Sequence, residues 1–471
     1  MSGQLIYNTL SRRKEPLEPI EPGKLKMYVC GMTVYDYCHL GHARAFVAFD
    51  VITRYLRSCG YQLHYVRNIT DIDDKILQRA NENGESYEQL TERFINAMNE
   101  DFEALGMLAP DEEPRATAHI EEIQVMIEQL IKGDHAYQAI NGDIYYRVSS
   151  FDQYGRLSGR NPDELLAGAR VDVDEAKEDP RDFALWKAAS ESEVGWDSPW
   201  GRGRPGWHIE CSAMSNSCLG CNFDIHGGGP DLVFPHHENE IAQSEAANGT
   251  RYANVWMHAG ALRIDDEKMS KSLGNFFTIR DVLAAWPAEV VRYFLIASHY
   301  RSAINYSDES LKEAYAALER IYLALRPYPE VEAAQLQYQE PSEFQKRFVE
   351  AMNDDFNTPE ALAVFYDMVR EINSCDDNSR PRAEELVAEL KGLAAVLGLL
   401  SSTAVEFLQG GDNSNLDSTL IESLIEERAQ AKKNRDFVRA DEIRDQLLAQ
   451  GIVLEDGREG TLWRRESSST S

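Results

Sequence analysis

Two histidines bracket a Leu-Gly pair at His39-Leu40-Gly41-His42, where a strand-like pattern gives way to a helical one. A helix N-terminus gathers unpaired N–H groups and favours anions, and a glycine there lets a bulky group approach the backbone. Imidazoles at that point can donate hydrogen bonds to a phosphate. Far downstream, Lys268-Met269-Ser270-Lys271-Ser272 runs into Leu273-Gly274-Asn275. Two flexible ammonium groups among hydroxyls suit the gripping of a polyphosphate. Either stretch alone reads more readily as a polar surface loop. Together, in one α/β background, they point to a nucleotide polyphosphate.

A second group of residues has metal chemistry. In Pro235-His236-His237-Glu238-Asn239-Glu240, His236 and Glu240 are four apart and share a helix face. That suits two ligands of one zinc ion, and two thiolates would complete a tetrahedral site. Cys30 ends the first strand, and Cys211 lies in Trp207-His208-Ile209-Glu210-Cys211. A competing site is the CxxC of Cys218 and Cys221, with Cys211 and His226 nearby. Against it, there is no second CxxC, and Cys221 falls at a turn into a strand. Gly227-Gly228-Gly229-Pro230-Asp231 permits close ligand contact, with Asp231 able to hold an ammonium group; it also reads as a plain turn. Asn68 to Lys75 closes a strand with clustered polar groups. Thr70 is a candidate pocket wall there, and the aspartates are candidate helix caps.

These side chains need a scaffold. Leu25, Met27 and Val29 alternate as one strand face, and the pattern breaks at Gly31. Ala45, Ala48, Val51/Ile52 and Tyr55/Leu56 predict a helix ending at Gly60, and Leu63 to Ile69 predicts a second strand. This is a βαβ unit, and such sheets bind ligands beyond the carboxyl ends of their strands. Helices are expected over Asp71 to Ala80, Tyr87 to Leu105, Ile120 to Ile131, His208 to Ser217 and from about His236. Asn141-Gly142 before Ile144 to Val148 predicts a hairpin. From Asp308 the pattern is almost wholly helical, with a helix start at Asn357-Thr358-Pro359. Residues 401–418 have linker composition. Two helices (Leu420 to Arg435, Val438 to Gln450) and a final hairpin follow.

Composition narrows the function classes. With 471 residues, 43% hydrophobic and 27% charged, the chain supports several ordinary domains with sizeable cores. It contains no apolar run near the roughly 18 residues that span a bilayer, so a cytoplasmic protein without membrane contact is expected. Seven scattered cysteines argue for reduced thiols over a disulfide framework. A net charge of −31 counts against nucleic-acid binding by the whole surface. From Thr419 onward, however, nine Lys/Arg face eleven Asp/Glu, so a local patch remains open.

With these segments assembled, the chain resembles the bacterial cysteinyl-tRNA synthetases, a class I aminoacyl-tRNA synthetase family, over essentially its whole length. His39-Leu40-Gly41-His42 looks like the His-Ile-Gly-His signature with leucine for isoleucine, and Lys268 to Ser272 is the KMSKS signature. Tyr28 to Asp36, Gly206 to Met214 and Phe234 to Glu240 are similar to segments that distinguish the cysteine enzyme. The resemblance implies an α/β fold: a Rossmann-type catalytic domain (1–115 and 206–305) with an inserted α+β connective domain (116–205). A helical bundle (306–400), a linker (401–418) and a small α+β anticodon-binding module (419–471) would follow. It implies ATP, with Mg2+, as substrate, L-cysteine and tRNA(Cys) as the other partners, and a monomer with one Zn2+ per subunit. Cys30, Cys211, His236 and Glu240 would ligate the zinc, excluding Cys218 and Cys221. His39, His42, Lys268 and Lys271 would be catalytic, Gly41 would admit the adenine, and Gly31, Thr70, Trp207 and Asp231 would line the amino-acid pocket. Trp463, Arg464 and Arg465 have side chains suited to RNA. Alternatives of the same fold are a cysteine ligase acting on an amino-sugar in thiol-cofactor synthesis and a non-catalytic tRNA-binding paralogue.

Overall fold

The computed structural model describes residues 3–160, 176–264, 267–268, 276–337, 339–410, 418–457 and 460–465. Lys271 and most of its signature lie outside the described residues. The chain forms two compact units. The first holds residues 1–282, 298–305 and 349–358; the second holds 283–297, 306–348 and 359–471.

The first unit is built on a four-stranded parallel sheet. Its strands are β3 (Lys24–Thr33), β4 (Gln62–Thr70), β9 (Phe223–Gly228) and β10 (Ala253–His258), in spatial order β10-β9-β3-β4. β1 (Leu5–Asn8) and β2 (Arg13–Pro16) form a hairpin before it, in a stretch whose sequence reads only as a polar lead-in. Four residues per strand are too few to carry a period. β3 alternates for four residues and is then buried on both faces from Met27 to Cys30, as an inner parallel strand must be. Because β4 lies on one side of β3 and β9 on the other, the strand order reverses at β3. The carboxyl ends of β3 and β9 flank the resulting crevice.

Helix α1 (Leu40–Ser58) returns the chain from β3 to β4 and buries Phe46, Val47, Phe49, Val51 and Ile52. α2 (Asp74–Asn83) and α3 (Tyr87–Ala104) follow, capped by Asp73 and Ser86. The insertion carries α4 (Ile120–Lys132) and a four-stranded antiparallel sheet of β5 (Ala136–Gln138), β6 (Ile144–Tyr146), β7 (Phe183–Ala188) and β8 (Gly203–Pro205). The expected hairpin turn is present, with Gly142 at φ +91°. α5 (Trp207–Leu219) leads into β9, and α6 (Glu238–Asn248) into β10. His236 does not begin a regular helix: Val233–His237 is a π-helical turn broken at Phe234. Beyond β10 come β11 (Leu262–Ile264) and β12 (Glu267–Lys268), an antiparallel pair.

The second unit is helical, with α7 (Ala288–Ile296), α8 (Asp308–Leu325), α9 (Thr358–Ser374) and α10 (Arg380–Val396). The linker-like stretch contains a helix, α11 (Ala404–Gln409), capped by Thr403. Its Phe407 stacks on Tyr322 with ring centroids 4.2 Å apart, an anchor that Ser/Gly/Asn composition hides. α12 (Ser418–Lys433), α13 (Phe437–Leu448) and the hairpin β13 (Ile452–Gly457) and β14 (Gly460–Arg465) share a small core of Ile421, Ile443, Leu447, Ile452 and Trp463. No helix among the described residues is long and apolar enough to cross a membrane.

Candidate active site and metal centre

At the carboxyl end of β3 the Cys30 thiol is buried, with its Sγ 3.7 Å from the Sγ of Cys211 on α5 and 3.3 Å from Glu240 Oε1 on α6. His236 Nε2 lies 3.1 Å from that same oxygen. All four ligand atoms stand within 4.8 Å of one another, and all four residues are buried. With zinc–sulfur bonds of about 2.3 Å, two sulfurs of a tetrahedral site sit about 3.8 Å apart. A nitrogen–oxygen edge is shorter, about 3.3 Å. The donor set and its spacing therefore fit a zinc ion.

A second set, Cys30, His226, His237 and Glu240, is also within ligating reach. Its members have other work. His226 Nε2 (2.9 Å) and the Tyr252 hydroxyl (2.9 Å) both bond Glu240 Oε2, which turns Oε1 towards Cys30 and His236. His237 Nδ1 bonds His258 Nε2 at 2.8 Å, and His258 Nδ1 bonds the Thr9 hydroxyl at 2.8 Å. His236 Nδ1 is 2.9 Å from His208 Nδ1. An Nδ1 proton on His236 shared with His208 leaves Nε2 free to ligate, the usual division of labour for a metal-bound imidazole. His236 and His237 alike have Nδ1 held by a second imidazole and Nε2 turned towards Glu240 Oε1, at 3.1 and 3.9 Å, so both sets stand within ligating reach and His236 is the nearer. His226 was visible in the sequence only as a neighbour of the CxxC, and His208 and Tyr252 carried no signal there.

The electrostatics agree. The hydrogen bond from Cys30 pulls the Cys211 thiol down to about 6, while burial pushes the Cys30 thiol well above its ordinary value. Cys211 is thus the first of the pair to give up its proton, and a divalent cation would displace the second. Cys218 is elsewhere: its thiol bonds Glu112 at 3.3 Å, and Cys221 is exposed. Cys38 is buried with its sulfur 3.1 Å from Met32 Sδ.

The surrounding residues form a rim. The Trp207 ring stacks on His236 at 4.2 Å and remains 37% exposed. Asp231 is exposed and close enough to His236 to raise its basicity. Gly31 follows Cys30 where the β3–β4 register shifts, and a Cβ there would meet the Asn68 carbonyl at 1.7 Å. Its N–H donates to Asn68 Oδ1 at 2.8 Å, and Asn68 Nδ2 reaches the Thr70 hydroxyl at 3.4 Å. Asn68 is thus a support of the rim that sequence reasoning passed over.

The two signature histidines meet at the start of α1. His39 is the N-cap and His42 the third helical residue. The His42 N–H donates to His39 Nδ1 (3.3 Å) and the His39 N–H to His42 Nδ1 (3.2 Å), with the rings stacked at 3.6 Å. Since both Nδ1 atoms accept, each neutral ring carries its proton on Nε2. Capping thereby orients two N–H donors at a helix N-terminus, which suits an anion. The segment following the lysine signature is tied to this point. Leu40 N–H donates to the Phe277 carbonyl (3.1 Å), Ile279 N–H to the Cys38 carbonyl (2.9 Å), and Phe276 packs edge-on against His39.

In the C-terminal module, Trp463 is 5% exposed within the core. Arg464 bonds Glu455 (3.0 Å) and Glu319 (2.5 Å), and Arg465 bonds the Gln409 carbonyl (2.9 Å). All three side chains serve packing and ion pairs in this structure. Stacking chemistry is available instead at the α12–α13 turn. Phe437 is 62% and Val438 73% exposed there, beside Lys433 and Arg435, which have no ion pair among the described residues.

Comparison with known proteins shows the family and the fold. Residues 16–316 match the family model described as tRNA synthetases class I (C) catalytic domain, 347–401 the DALR domain and 418–464 the cysteinyl-tRNA ligase anticodon binding domain. A cysteine--tRNA ligase of Marinobacter nauticus is 59% identical over 98% of this chain and 99% of its own. One of Stutzerimonas stutzeri is 60% identical over 98% of each. Among solved structures, Mycobacterium tuberculosis methionyl-tRNA synthetase bound by methionyl-adenylate superposes with TM-score 0.58. It is 15% identical and aligned over 82% of this chain and 91% of that one, a likeness of fold.

Proposed function

The chain belongs to the class I cysteinyl-tRNA synthetases, the cysteine–tRNA ligases, and from that premise we propose which residues carry each step. The family's reaction uses ATP with Mg2+, cysteine and tRNA. A cysteine carboxylate oxygen attacks the α-phosphorus, the bond to pyrophosphate breaks, and cysteinyl-adenylate forms. A hydroxyl of the terminal tRNA ribose then attacks the acyl carbon and AMP leaves. No covalent enzyme intermediate is required, so the protein's task is positioning and charge stabilisation. The amino-sugar ligase and the non-catalytic paralogue are not favoured, given full-length relatives named as tRNA ligases and the anticodon-domain match.

In this reading the Nε2–H groups of His39 and His42 hold the nucleotide phosphates, Gly41 leaves room for the adenine, and Lys268 and Lys271 neutralise the departing pyrophosphate. Cys30, Cys211, His236 and Glu240 hold zinc. Bound there, the ion supplies affinity for a thiolate and little for a hydroxyl, which separates cysteine from serine. Gly31 and Thr70 bound the amino-acid pocket, Trp207 closes it over His236, and Asp231 takes the ammonium. The observation that carries the reading is the convergence of two thiols, a carboxylate whose second oxygen is held by buried His226 and Tyr252, and an imidazole whose Nδ1 is held by half-buried His208.

The test is cysteine-dependent ATP–pyrophosphate exchange followed by tRNA acylation. Deleting residues 419–471 is expected to leave exchange within about twofold and to lower acylation kcat/KM by two orders of magnitude or so. Phe437→Ala should lower acylation alone, by about tenfold, since stacking of one base is worth roughly 1–3 kcal/mol. Equal loss of both activities would assign the module a structural role.

A further inference from the structure

Arg44 lies on α1, two residues beyond His42, and is 2% exposed. Its Nη2 donates to the carbonyls of His299 (2.6 Å) and Ser302 (3.0 Å). The turn they belong to is closed by Ser302 N–H to His299 O at 2.9 Å. On its other side the turn grips the connection between β10 and β11: Gly260 N–H donates to the Tyr300 carbonyl (2.6 Å), and Ile304 N–H to the Ala261 carbonyl (2.9 Å). The fit leaves no room for a side chain, since a Cβ on Gly260 would stand 2.1 Å from the Ser302 oxygen that Arg44 also holds. The turn's side chains are fixed separately. Tyr300 (2.9 Å) and Arg301 (2.7 Å) both bond Asp355, which also accepts the Tyr7 N–H at 2.8 Å.

These contacts form one line. It runs from the helix that presents His39 and His42, through Arg44, to the turn, and on to the strand that enters the β11–β12 pair. Lys268 ends that pair, opposite Arg263. The chain leaving the lysine signature is already tied to the same helix start through Phe277, Thr278 and Ile279. The segment on each side of the signature is therefore anchored to the element carrying the two histidines.

We propose that Arg44 is a positioning residue for the nucleotide site, holding the turn at 299–302, and through it the strand that enters β11, against the helix that presents His39 and His42. This rests on the phosphate roles proposed above. A guanidinium suits this buried place because it is planar and less strongly hydrated than an ammonium, and its Nη2 holds both carbonyls of the turn, while a lysine is a point charge on a flexible stem. A misplacement near 1 Å can cost on the order of 100-fold.

The test is steady-state exchange with Arg44→Gln, Arg44→Lys and Lys271→Ala, alone and combined, in the full-length zinc-loaded protein. Arg44→Gln is expected to lower kcat/KM for ATP by 10- to 100-fold or so, with KM for cysteine and bound zinc within about twofold of the parent. Arg44→Lys should fall between, and it is read alone if Arg44→Gln does not fold. In the Lys271→Ala background Arg44→Gln should add less than about threefold, because coupled residues are not additive. A parallel rise in both KM values, full additivity with Lys271→Ala, or unchanged exchange would overturn the proposal. If Lys271→Ala itself leaves exchange intact, the assignment of the signature lysine fails. Arg44 is then still judged by its split between ATP and cysteine.

Discussion

Cys211→Ser is expected to release the metal and abolish cysteine activation together. Bound zinc should fall from one per chain to near zero, and kcat/KM for cysteine should fall by well over 100-fold. Loss of an outer-shell partner alone costs some 10- to 100-fold, and this change removes a ligand. The position is sensitive because Cys211 is the readier thiolate of the pair, its thiol pulled down by the Cys30 hydrogen bond. A serine hydroxyl in its place is a far weaker zinc ligand. Metal analysis with exchange kinetics checks this. Retained zinc would redirect the site to the Cys218/Cys221 pair or to the His226/His237 set. Cys221→Ser, on an exposed thiol, should leave both readings unchanged.

His42→Asn separates capping from catalysis. The histidine Nδ1 accepts the His39 N–H, and an asparagine side-chain oxygen can take that place. Asparagine has nothing where Nε2–H stands. The variant should therefore melt within a few degrees of the parent while exchange kcat falls by about 10²–10³, the loss typical of one preorganised donor to developing charge. His42→Ala should lose the same activity and, in addition, about 1 kcal/mol of cap stability. If the asparagine variant keeps its activity, His42 is a helix cap and no more.

The sequence was informative where periodicity was long. α1, β4, α3 and α4 fall within a few residues of their expected ends, because each repeats its apolar spacing over many turns or a full strand. The sheet order was not visible, since nothing local tells β3 that β9 will pair on its second side. His236 and Glu240 were legible as a pair four apart, and the π-helical turn at Val233–His237 preserves that contact although the helix begins later. Cys30 and Cys211 are 181 residues apart. No spacing rule connects them: the sequence offered them as the two thiolates by their places in the α/β pattern, and the family resemblance implied them as ligands. Trp463 was misleading for a physical reason. An aromatic beside two arginines suits RNA, but a module this small needs its one tryptophan as core. Phe437, exposed at a helix start between Arg435 and Arg439, sits in a charged stretch with no apolar period to mark it.

The central claim is that Cys30, Cys211, His236 and Glu240 hold a metal that receives the substrate's sulfur. Cobalt in place of zinc tests this most directly, because each thiolate bound to it adds sulfur-to-metal charge-transfer absorbance. Adding cysteine to the cobalt-loaded full-length protein should raise that absorbance by about half, as two thiolates become three, and adding serine should not. An unchanged spectrum at a cysteine concentration that supports full exchange activity would contradict the account.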